Sequence, residues 1–402
     1  MTTKLLIVVL ATRISEWVTK GEVTPGYFNP DKRFDHIVII GLAPDNPSQA
    51  DLVKLAGTEK VEYINAKLIT PLSLLITCGF HSLLVRRLMK ACIPPDIASQ
   101  RPLAVRAYGD GLAGKCAVIL GHILGCRSVA SIHTTCTIDP ARRNKGLKAR
   151  LMDLFEGRAR IYAQQHLDYL IPVYSPALAA ISASYIHKTF VIPNAVATNK
   201  SHKKKQFDDR PPVKIITFGR QVPGKNAFPI LSALAKERNW HLTIVGDGPE
   251  VALVLAFAAK NGLLDQILHI PQMHNEQLLS KLDHYNIYMG WTAYAEIPKT
   301  LIEAGLSGLP IVQNPLPIAI PPELTQVPII WTTSSRSYGD ILRDLTNEPE
   351  RMKILGDQTR SALLEHFDPN KAGVAMADLL ETGEQNFYPS ARALSEDPKY
   401  GP

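Results

Sequence analysis

Residues 213–225, VKIITFGRQVPGK, decide the fold of this chain. VKIIT has the length and apolar character of a buried strand, and FGRQVPGK is a loop with two glycines and a proline. The next segment, AFPILSALAKERN, carries apolar residues at helical spacing. A buried strand that leads through a loop into a helix is the repeating unit of a parallel sheet. The stretch therefore predicts an α/β domain.

The same alternation of strand and helix extends in both directions from this stretch. The apolar runs are LLIVVL, HIVIIG, LAVRAYG, SVASIH, LIPVYS and TFVIP before it, and HLTIVGDG, QILHIP, NIYMGW, LPIVQN and VPIIWT after it. ATNKSHKKKQFDDRPP interrupts the series at residues 197–212 with the polar, proline-ended composition of a linker. We therefore predict two Rossmann-like α/β domains with a cleft between them. Their bounds are 1–197, a linker at 198–212, 213–375, and 376–402 as a helix end with a polar tail.

Composition agrees with a two-domain cytoplasmic protein. The chain has 402 residues, of which 46% are hydrophobic and 20% charged, enough for two cores. No apolar run reaches the length of a membrane span, and KLLIVVLAT lacks the cleavage site of a signal peptide. The five cysteines contain no C-x-x-C pair, which favours reduced thiols over disulfides or a zinc site.

Positive charge is concentrated in the first half. Residues 1–200 hold 24 lysines and arginines against 14 acids, whereas the remainder holds 20 against 23. Basic segments at 81–93, HSLLVRRLMKACI, and 141–151, ARRNKGLKARL, are suited to an anionic membrane face and a lipid-linked or anionic glycan acceptor. The alternative is a core-packed helix with a solvated basic edge. Nucleic acid is disfavoured, because the clusters do not interleave with aromatic residues.

Two loops that follow strands carry candidate ligand-binding residues. Arg220 and Lys225 place two cations at the start of a helix, as a diphosphate requires, although solvated charges on a turn are the alternative. Gly246 and Gly248 would allow a nucleotide or sugar to approach the backbone, or form an ordinary tight turn. The pattern lacks G-x-G-x-x-G, so a nicotinamide cofactor is not indicated.

A third loop opens AEIPKTLIEAGLSGLP at residues 295–310. We expect Pro298 at the first helical position, with nearby backbone N–H groups directed at an anion or sugar hydroxyls. These are the amides of Ile297, Lys299 and Thr300. Glu303 is suited to accept from a ribose diol, and Glu296 from a hexose. The alternatives are an acid beside a helix N-terminus for Glu296 and a solvated helix face for Glu303.

Taken in order, FGRQVPGK, TIVGDGPE, YNIYMG and EIPKTLIEAGLSGLPIV resemble the donor-binding domain of the family 4 retaining glycosyltransferases, whose fold is called GT-B. VIPNAV at 191–196 is similar to the hinge stretch of that family. WVTKGEVTPGYFNP, VRAYGDGLAG and SIHTTCT resemble segments of members that act in bacterial polysaccharide assembly.

The resemblance implies a retaining, metal-independent hexosyltransferase that needs no cofactor and takes a nucleotide-sugar donor. It also implies a role in bacterial glycan or polysaccharide assembly. With the basic first half and the reduced cysteines, we expect a cytoplasmic protein, peripheral at the inner membrane face. The implied catalytic residues are His133, Arg220, Lys225 and Glu296. The predicted donor-binding residues, among which the resemblance implies Arg220, Lys225 and Glu303, are Gly219, Arg220, Lys225, Gly246, Gly248, Glu296, Ile297, Pro298, Lys299, Thr300 and Glu303.

Two departures from the family pattern concern the sugar contacts. Ala295 stands where the first acid of the paired-glutamate motif belongs, and Glu296 comes one residue late. The glycine pair after the first strand is replaced by ATRISEWVTKGE. Two other functions therefore remain open: a non-catalytic GT-B subunit that binds a nucleotide-sugar, and a sugar-nucleotide epimerase on the same fold.

Overall fold

The computed structural model describes residues 3–20, 24–68, 82–133, 147–194 and 212–396. These residues form two compact units. The first contains the described residues up to 194 together with 369–396, and the second contains 212–368. Each unit is built on a six-stranded sheet in which every strand pair is parallel. The predicted fold class of two Rossmann-like domains is therefore confirmed.

The sheet of the first unit has the order β3-β2-β1-β4-β5-β6. Its strands are β1 (Leu5–Leu10), β2 (His36–Gly41), β3 (Val61–Asn65), β4 (Ala104–Tyr108), β5 (Arg127–Ile132) and β6 (Tyr169–Pro172). Every residue of β1 and β2 is buried, because successive side chains enter two different cores on opposite faces of the sheet. Uninterrupted apolar runs such as LLIVVL are the sequence sign of strands covered on both faces.

Helices cover both faces of this sheet. They are α1 (Ile14–Lys20), α2 (Gln49–Ala56), α3 (Ser82–Cys92), α4 (Pro95–Ser99), α5 (Leu112–Leu124) and α6 (Leu147–His166). In α3, Val85 and Met89 are fully buried in one core, whereas Arg86 and Lys90 are exposed. The first basic segment is therefore a core-packed helix with a solvated basic edge. Of the second basic segment, residues 141–146 lie outside the described residues.

The sheet of the second unit repeats the topology, with the order β12-β11-β10-β7-β8-β9. Its strands are β7 (Val213–Phe218), β8 (Trp240–Val245), β9 (Ile267–Ile270), β10 (Ile287–Gly290), β11 (Ile311–Gln313) and β12 (Ile330–Trp331). Its helices are α7 (Phe228–Leu234), α8 (Val251–Lys260), α9 (Asn275–Lys281), α10 (Lys299–Leu306), α11 (Tyr338–Thr346) and α12 (Pro349–His366). The chain runs outward from β7 in one direction and from β10 in the other. The switch point of the sheet therefore lies between these two strands.

Two C-terminal helices, α13 (Pro369–Glu381) and α14 (Ala391–Glu396), return to the first unit. Leu379 and Leu380 are fully buried in the core between the sheet and these helices. Lys4 Nζ lies 3.0 Å from Glu381 Oε1, and the Arg127 guanidinium donates to backbone carbonyls at the end of α13. Helix α13 therefore completes a hydrophobic core of the first unit rather than the core of the second unit.

This return corrects the expected end of the second domain. The sequence prediction placed the boundary after residue 375 and assigned 376–402 to a helix end and a tail. In the structure the first unit resumes at Pro369, because Ala372, Ala375 and Met376 pack in a hydrophobic core of the first unit. Part of the expected polar tail is helical. A β-bridge between Phe190 and Ser390 precedes α14, which extends to Glu396.

Individual strands differ from the prediction in two places. The run TFVIP forms only isolated bridges, at Thr189 and Phe190, and no strand. Strand β3 was not predicted, because its sequence VEYIN includes Glu62 and Asn65 and is not an apolar run. Within the described part of the chain, no helix combines the length and the apolar character that crossing a bilayer requires.

Candidate functional site

The switch point of the second unit brings two of the predicted loops together. The loop after β7 contains Arg220 and Lys225, and the loop after β10 leads into α10 at Pro298. Ligands of open parallel sheets bind outside the carboxyl ends of strands at such a point. A small cavity of about 10 Å³ lies there, lined by residues from both loops that include Lys225, Pro298 and Thr300.

Gln221 holds the loop after β7 in shape. Its side-chain amide donates to the Gly219 carbonyl at 2.9 Å and accepts from the Ala227 amide at 2.9 Å. Its backbone N–H donates to the Asp247 carbonyl at 2.9 Å. Because Gln221 is only 3% exposed, these bonds are shielded from water. The loop is therefore a rigid support for the two cations, and sequence reasoning did not identify this glutamine.

The two cations have different surroundings. Arg220 is exposed and has no carboxylate partner among the described residues. Lys225 is largely buried, and its Nζ lies 2.9 Å from Oε1 of Glu296. Both side chains of this pair are less than one-fifth exposed, so little water screens their attraction. The displaced acid of the paired-glutamate motif thus contacts the lysine predicted to bind a diphosphate.

Helix α10 begins one residue later than predicted. Pro298 is its N-cap residue, with φ −65° and ψ 122°, and the first helical residue is Lys299. The amide N–H groups of Ile297 and Thr300 have no acceptor in the described part of the chain. Unpaired amides and the helix dipole make this end suited to an anion or to sugar hydroxyls.

Thr300 is fixed by a buried tyrosine. Its Oγ1 lies 2.8 Å from the hydroxyl of Tyr288, which is on β10. Burial raises the pKa of Tyr288, and the negative charges of Glu303 and Glu296 raise it further, against the opposing effect of the Thr300 hydrogen bond. The phenol therefore stays protonated at neutral pH and can keep its hydrogen bond to Thr300.

Glu303 lies on α10 and is only 4% exposed, so it is not on a solvated helix face. Its Oε1 is 3.4 Å from Lys299 Nζ and accepts from the side-chain amide of Asn275 at 3.3 Å. A buried carboxylate held by one cation and one amide is a fixed acceptor. Asn275, on α9, is a further contact that no sequence pattern indicated.

Gly246 and Gly248 have a structural role that the sequence did not indicate. Their φ values are 128° and 154°, in the region that favours glycine. A Cβ on Gly246 would overlap the carbonyl of Gly219, and one on Gly248 would overlap the carbonyl of Gln221. The two glycines therefore allow the loop after β8 to pack on the loop after β7. Their predicted contact with a ligand stays a prediction.

In the first unit, His133 follows β5 and belongs to a polar cluster. Its ring stacks on Tyr108 with centroids 5.7 Å apart, and its backbone carbonyl accepts from the Tyr174 hydroxyl at 2.6 Å. The Asn194 side-chain nitrogen lies 2.8 Å from His133 Nδ1. With the amide as donor, Nδ1 accepts and the proton of a neutral ring lies on Nε2. Asn194, in the predicted hinge stretch VIPNAV, therefore orients the histidine.

Sequence reasoning also missed Arg106 and Ser131, which line a cavity of about 280 Å³ in the first unit. Arg106 interrupts the otherwise apolar strand LAVRAYG, and this buried cation was the available signal. No group of three His, Cys, Asp or Glu side chains is placed to hold a metal ion within the described ranges.

A family model and several solved structures are similar to this chain. Residues 198–320 match the model of the family described as Glycosyl transferases group 1. No curated protein matches the chain by sequence. Sucrose-phosphate synthase from Thermosynechococcus elongatus superposes with a TM-score of 0.66 at 13% identity, over 94% of this chain and 98% of that one.

Two further structures extend the likeness over whole chains. HepE from Anabaena, solved in complex with UDP and glucose, has a TM-score of 0.65 at 16% identity, over 94% of this chain and 100% of its own. WaaG, a glycosyltransferase involved in lipopolysaccharide biosynthesis, has a TM-score of 0.58 at 12% identity, over 94% and 100%. Residues 198–320 thus match the group 1 glycosyl transferases, within a chain whose two parallel sheets form the GT-B fold.

Proposed function

We propose that the protein is a retaining glycosyltransferase of family 4 that moves a sugar from a nucleotide-sugar donor to an acceptor hydroxyl. The observation that carries this proposal is the arrangement at the switch point of the second unit. Arg220, Lys225 and the N-terminus of α10 lie at one edge of the sheet, with buried Glu303 on the same helix. The match of residues 198–320 to the group 1 glycosyl transferases supports it.

The charges at this edge suit the chemistry of the bond that breaks. The leaving nucleoside diphosphate gains negative charge in the transition state, and preorganised cations and amide dipoles stabilise it. Arg220, Lys225 and the Thr300 amide would supply that stabilisation without a metal ion. Glu303 would accept from the ribose hydroxyls of the donor, which fixes the nucleotide relative to these cations.

The Lys225–Glu296 ion pair adds a step to donor binding. A diphosphate that reaches Lys225 must compete with the Glu296 carboxylate, which lies 2.9 Å from the same nitrogen. Displacement of that carboxylate would free its oxygens to accept from hydroxyls of the donor sugar. In this scheme, Glu296 replaces the acid that is missing at Ala295.

The donor and the acceptor are proposed from the solved relatives and from the basic half of the chain. HepE was solved with UDP and glucose, which makes UDP-glucose the first donor to test. WaaG is involved in lipopolysaccharide biosynthesis, and α3 exposes a basic edge. We therefore propose a lipid-linked or anionic glycan acceptor, at the cytoplasmic face of a membrane.

The first experiment is thermal stabilisation of the protein by UDP, GDP, ADP and their glucose conjugates. We expect one base to raise the melting temperature of the wild type and to have a much smaller effect on Glu303→Ala. Transfer or slow hydrolysis of the matching donor is then followed by proton NMR, with and without EDTA. An α-configured product from an α-donor, formed equally with EDTA, is expected. An inverted product or a metal requirement would contradict the proposed mechanism.

A second candidate is a non-catalytic subunit that binds a nucleotide-sugar. Ala295 in place of the first acid and the neutralised charge of Lys225 favour it. Nucleotide binding that depends on Glu303, without transfer or hydrolysis of any donor, would support this candidate over the transferase.

A further inference from the structure

One cavity of the first unit, lined by residues that the structure describes, contains a buried cation. Arg106 lies in the interior strand β4, and only 6% of its surface is exposed. A buried guanidinium is normally paired with a carboxylate, because desolvation of an isolated charge is costly. No acid among the described residues forms an ion pair with Arg106.

The contacts that Arg106 does make leave donors unused. Its Nε and Nη2 donate to the same hydroxyl oxygen of Ser131, at 3.1 and 3.0 Å. Its guanidinium carbon lies 4.7 Å from the centre of the Tyr108 ring, a cation–π contact. Arginine has five N–H donors. The Nη1 group therefore has no acceptor in the described part of the molecule.

The surroundings of the cavity favour negative charge in a ligand. Its charged lining consists of Arg106, exposed Lys32 and Asp31, and the Asp31 carboxylate is taken by Arg33 at 2.8 Å. The first turn of α13 also lines the cavity, so the positive end of its dipole adds to the potential. The cavity encloses about 280 Å³, which is room for a small organic molecule beyond the anionic group itself.

We propose that this cavity binds a small hydroxylated molecule through its oxyanion, a phosphate ester or a carboxylate, which Arg106 holds. The fork of the guanidinium matches the paired oxygens of either group. Ser131 holds the guanidinium in position, and the Asn194 side chain, which also orients His133, lies on the cavity wall. The inference does not depend on the proposed sugar transfer, because none of these residues belongs to the second unit.

The test measures binding of glucose 6-phosphate, glucuronate, glucose and inorganic phosphate by calorimetry, without nucleotide. We expect at least one of the two sugar anions to bind, and glucose not to bind. Tight binding of glucose 6-phosphate alone identifies a phosphate ester site, and tight binding of glucuronate alone a carboxylate site. Inorganic phosphate that binds as tightly as the sugar anions would overturn the part of the proposal that concerns a larger ligand.

Matched variants assign the binding to Arg106. Arg106→Met should lower the affinity for the sugar anion at least about tenfold, because a charge-assisted hydrogen-bonded pair is lost. Arg101→Gln removes an exposed arginine outside the cavity and should bind as the wild type does. Arg106→Lys keeps the positive charge and provides the test if Arg106→Met does not fold. It should bind the anion several-fold more weakly than the wild type, because lysine lacks the guanidinium fork.

Two outcomes would overturn the proposal: absence of binding by both sugar anions, and unchanged affinity in the Arg106 variants. Glu303→Ala separates this proposal from the proposed transferase. It should lose nucleotide binding and keep anion binding, so failure of one proposal leaves the other measurable.

Discussion

Lys225 Nζ and Glu296 Oε1 lie 2.9 Å apart and join the loop after β7 to the loop before α10. Each partner lies among the predicted donor contacts, and each neutralises the other in the absence of a ligand. The pair is therefore both a link between the two loops and a competitor of the proposed diphosphate.

Glu296→Gln should tighten the binding of the nucleoside diphosphate several-fold, because Lys225 no longer has a competing carboxylate. The same change should lower kcat for the nucleotide-sugar about tenfold or more, since a hydroxyl acceptor at the sugar is lost. Lys225→Met should weaken the binding of both the nucleoside diphosphate and the nucleotide-sugar. Calorimetry and initial rates measure these effects. Weaker diphosphate binding in Glu296→Gln would show that the ion pair supports the site rather than competing with its ligand.

Glu303→Gln should lose about tenfold in affinity for the nucleotide, because a charged acceptor of ribose hydroxyls becomes a neutral amide. The sharper readout uses the 2′,3′-dideoxy nucleotide. The wild type should discriminate strongly against it, and the variant should not. Glu365→Gln, an exposed acid on α12, is the matched control and should behave as the wild type. Equal discrimination by wild type and Glu303→Gln would remove Glu303 from the ribose site.

Gly246→Ala should lower the free energy of unfolding by about 3 kcal/mol or more, because φ of 128° is strained for alanine and its Cβ also overlaps the Gly219 carbonyl. Gly262→Ala is the control, with φ of 65° and open space around its Cβ, and should cost about 1 kcal/mol. Urea unfolding measures both. A similar cost for the two variants would contradict the packing role assigned to Gly246.

The stability of the fold should decrease at alkaline pH, and Cys126 should account for part of the decrease. Burial raises the pKa of its thiol to about 12 from its ordinary value of 9.0, with Asp168 raising it further and Arg127 opposing. Between these values the unfolded chain releases the proton and the folded chain keeps it. The stabilisation is therefore complete below pH 9 and is lost as pH rises toward 12.

Comparison of the wild type with Cys126→Ala isolates this effect. Above pH 9 the wild type should lose up to about 1.4 kcal/mol per pH unit more than the variant. Below pH 8 the difference between the two proteins should not depend on pH, which provides an internal control. Parallel curves from pH 8 to 11 would show that Cys126 does not titrate differently in the two states.

The core strands could be predicted because they are buried on both faces. LLIVVL is a continuous apolar run and VKIIT is interrupted only by Lys214, and both have the length of a strand rather than of a helix. Strand β3, VEYIN, lacks the pattern because Glu62 and Asn65 interrupt its apolar residues. The return of α13 to the first unit depends on long-range packing of side chains such as Ala375 and Leu379. The local sequence carries no signal of that packing.

The candidate site was predictable only where a residue type and its position along the chain coincide. The loop after β7 contains Arg220 and Lys225, and α10, which follows β10, carries Glu303. The parallel topology therefore brings the three side chains to the same edge of the sheet. Asn275 acts through a hydrogen bond to Glu303, which is 28 residues away in the chain. Gln221 acts through hydrogen bonds to nearby Gly219 and Ala227, which no pattern of residue types marks. Arg106 carried a local signal, a cation in a buried strand, but its cavity depends on α13.

The return of α13 also determines the order in which the protein can fold during synthesis. The ribosome makes residues 5–132, which contain five of the six strands of the first sheet, long before residues 369–381. While residues 212–368 are made, the part of that sheet face that Leu379 and Leu380 cover stays exposed, although α1 and α2 can already pack on the same face. The second unit, whose strands and helices are consecutive in the chain, can complete its core first. The half of the protein that is translated first is therefore the last to finish folding.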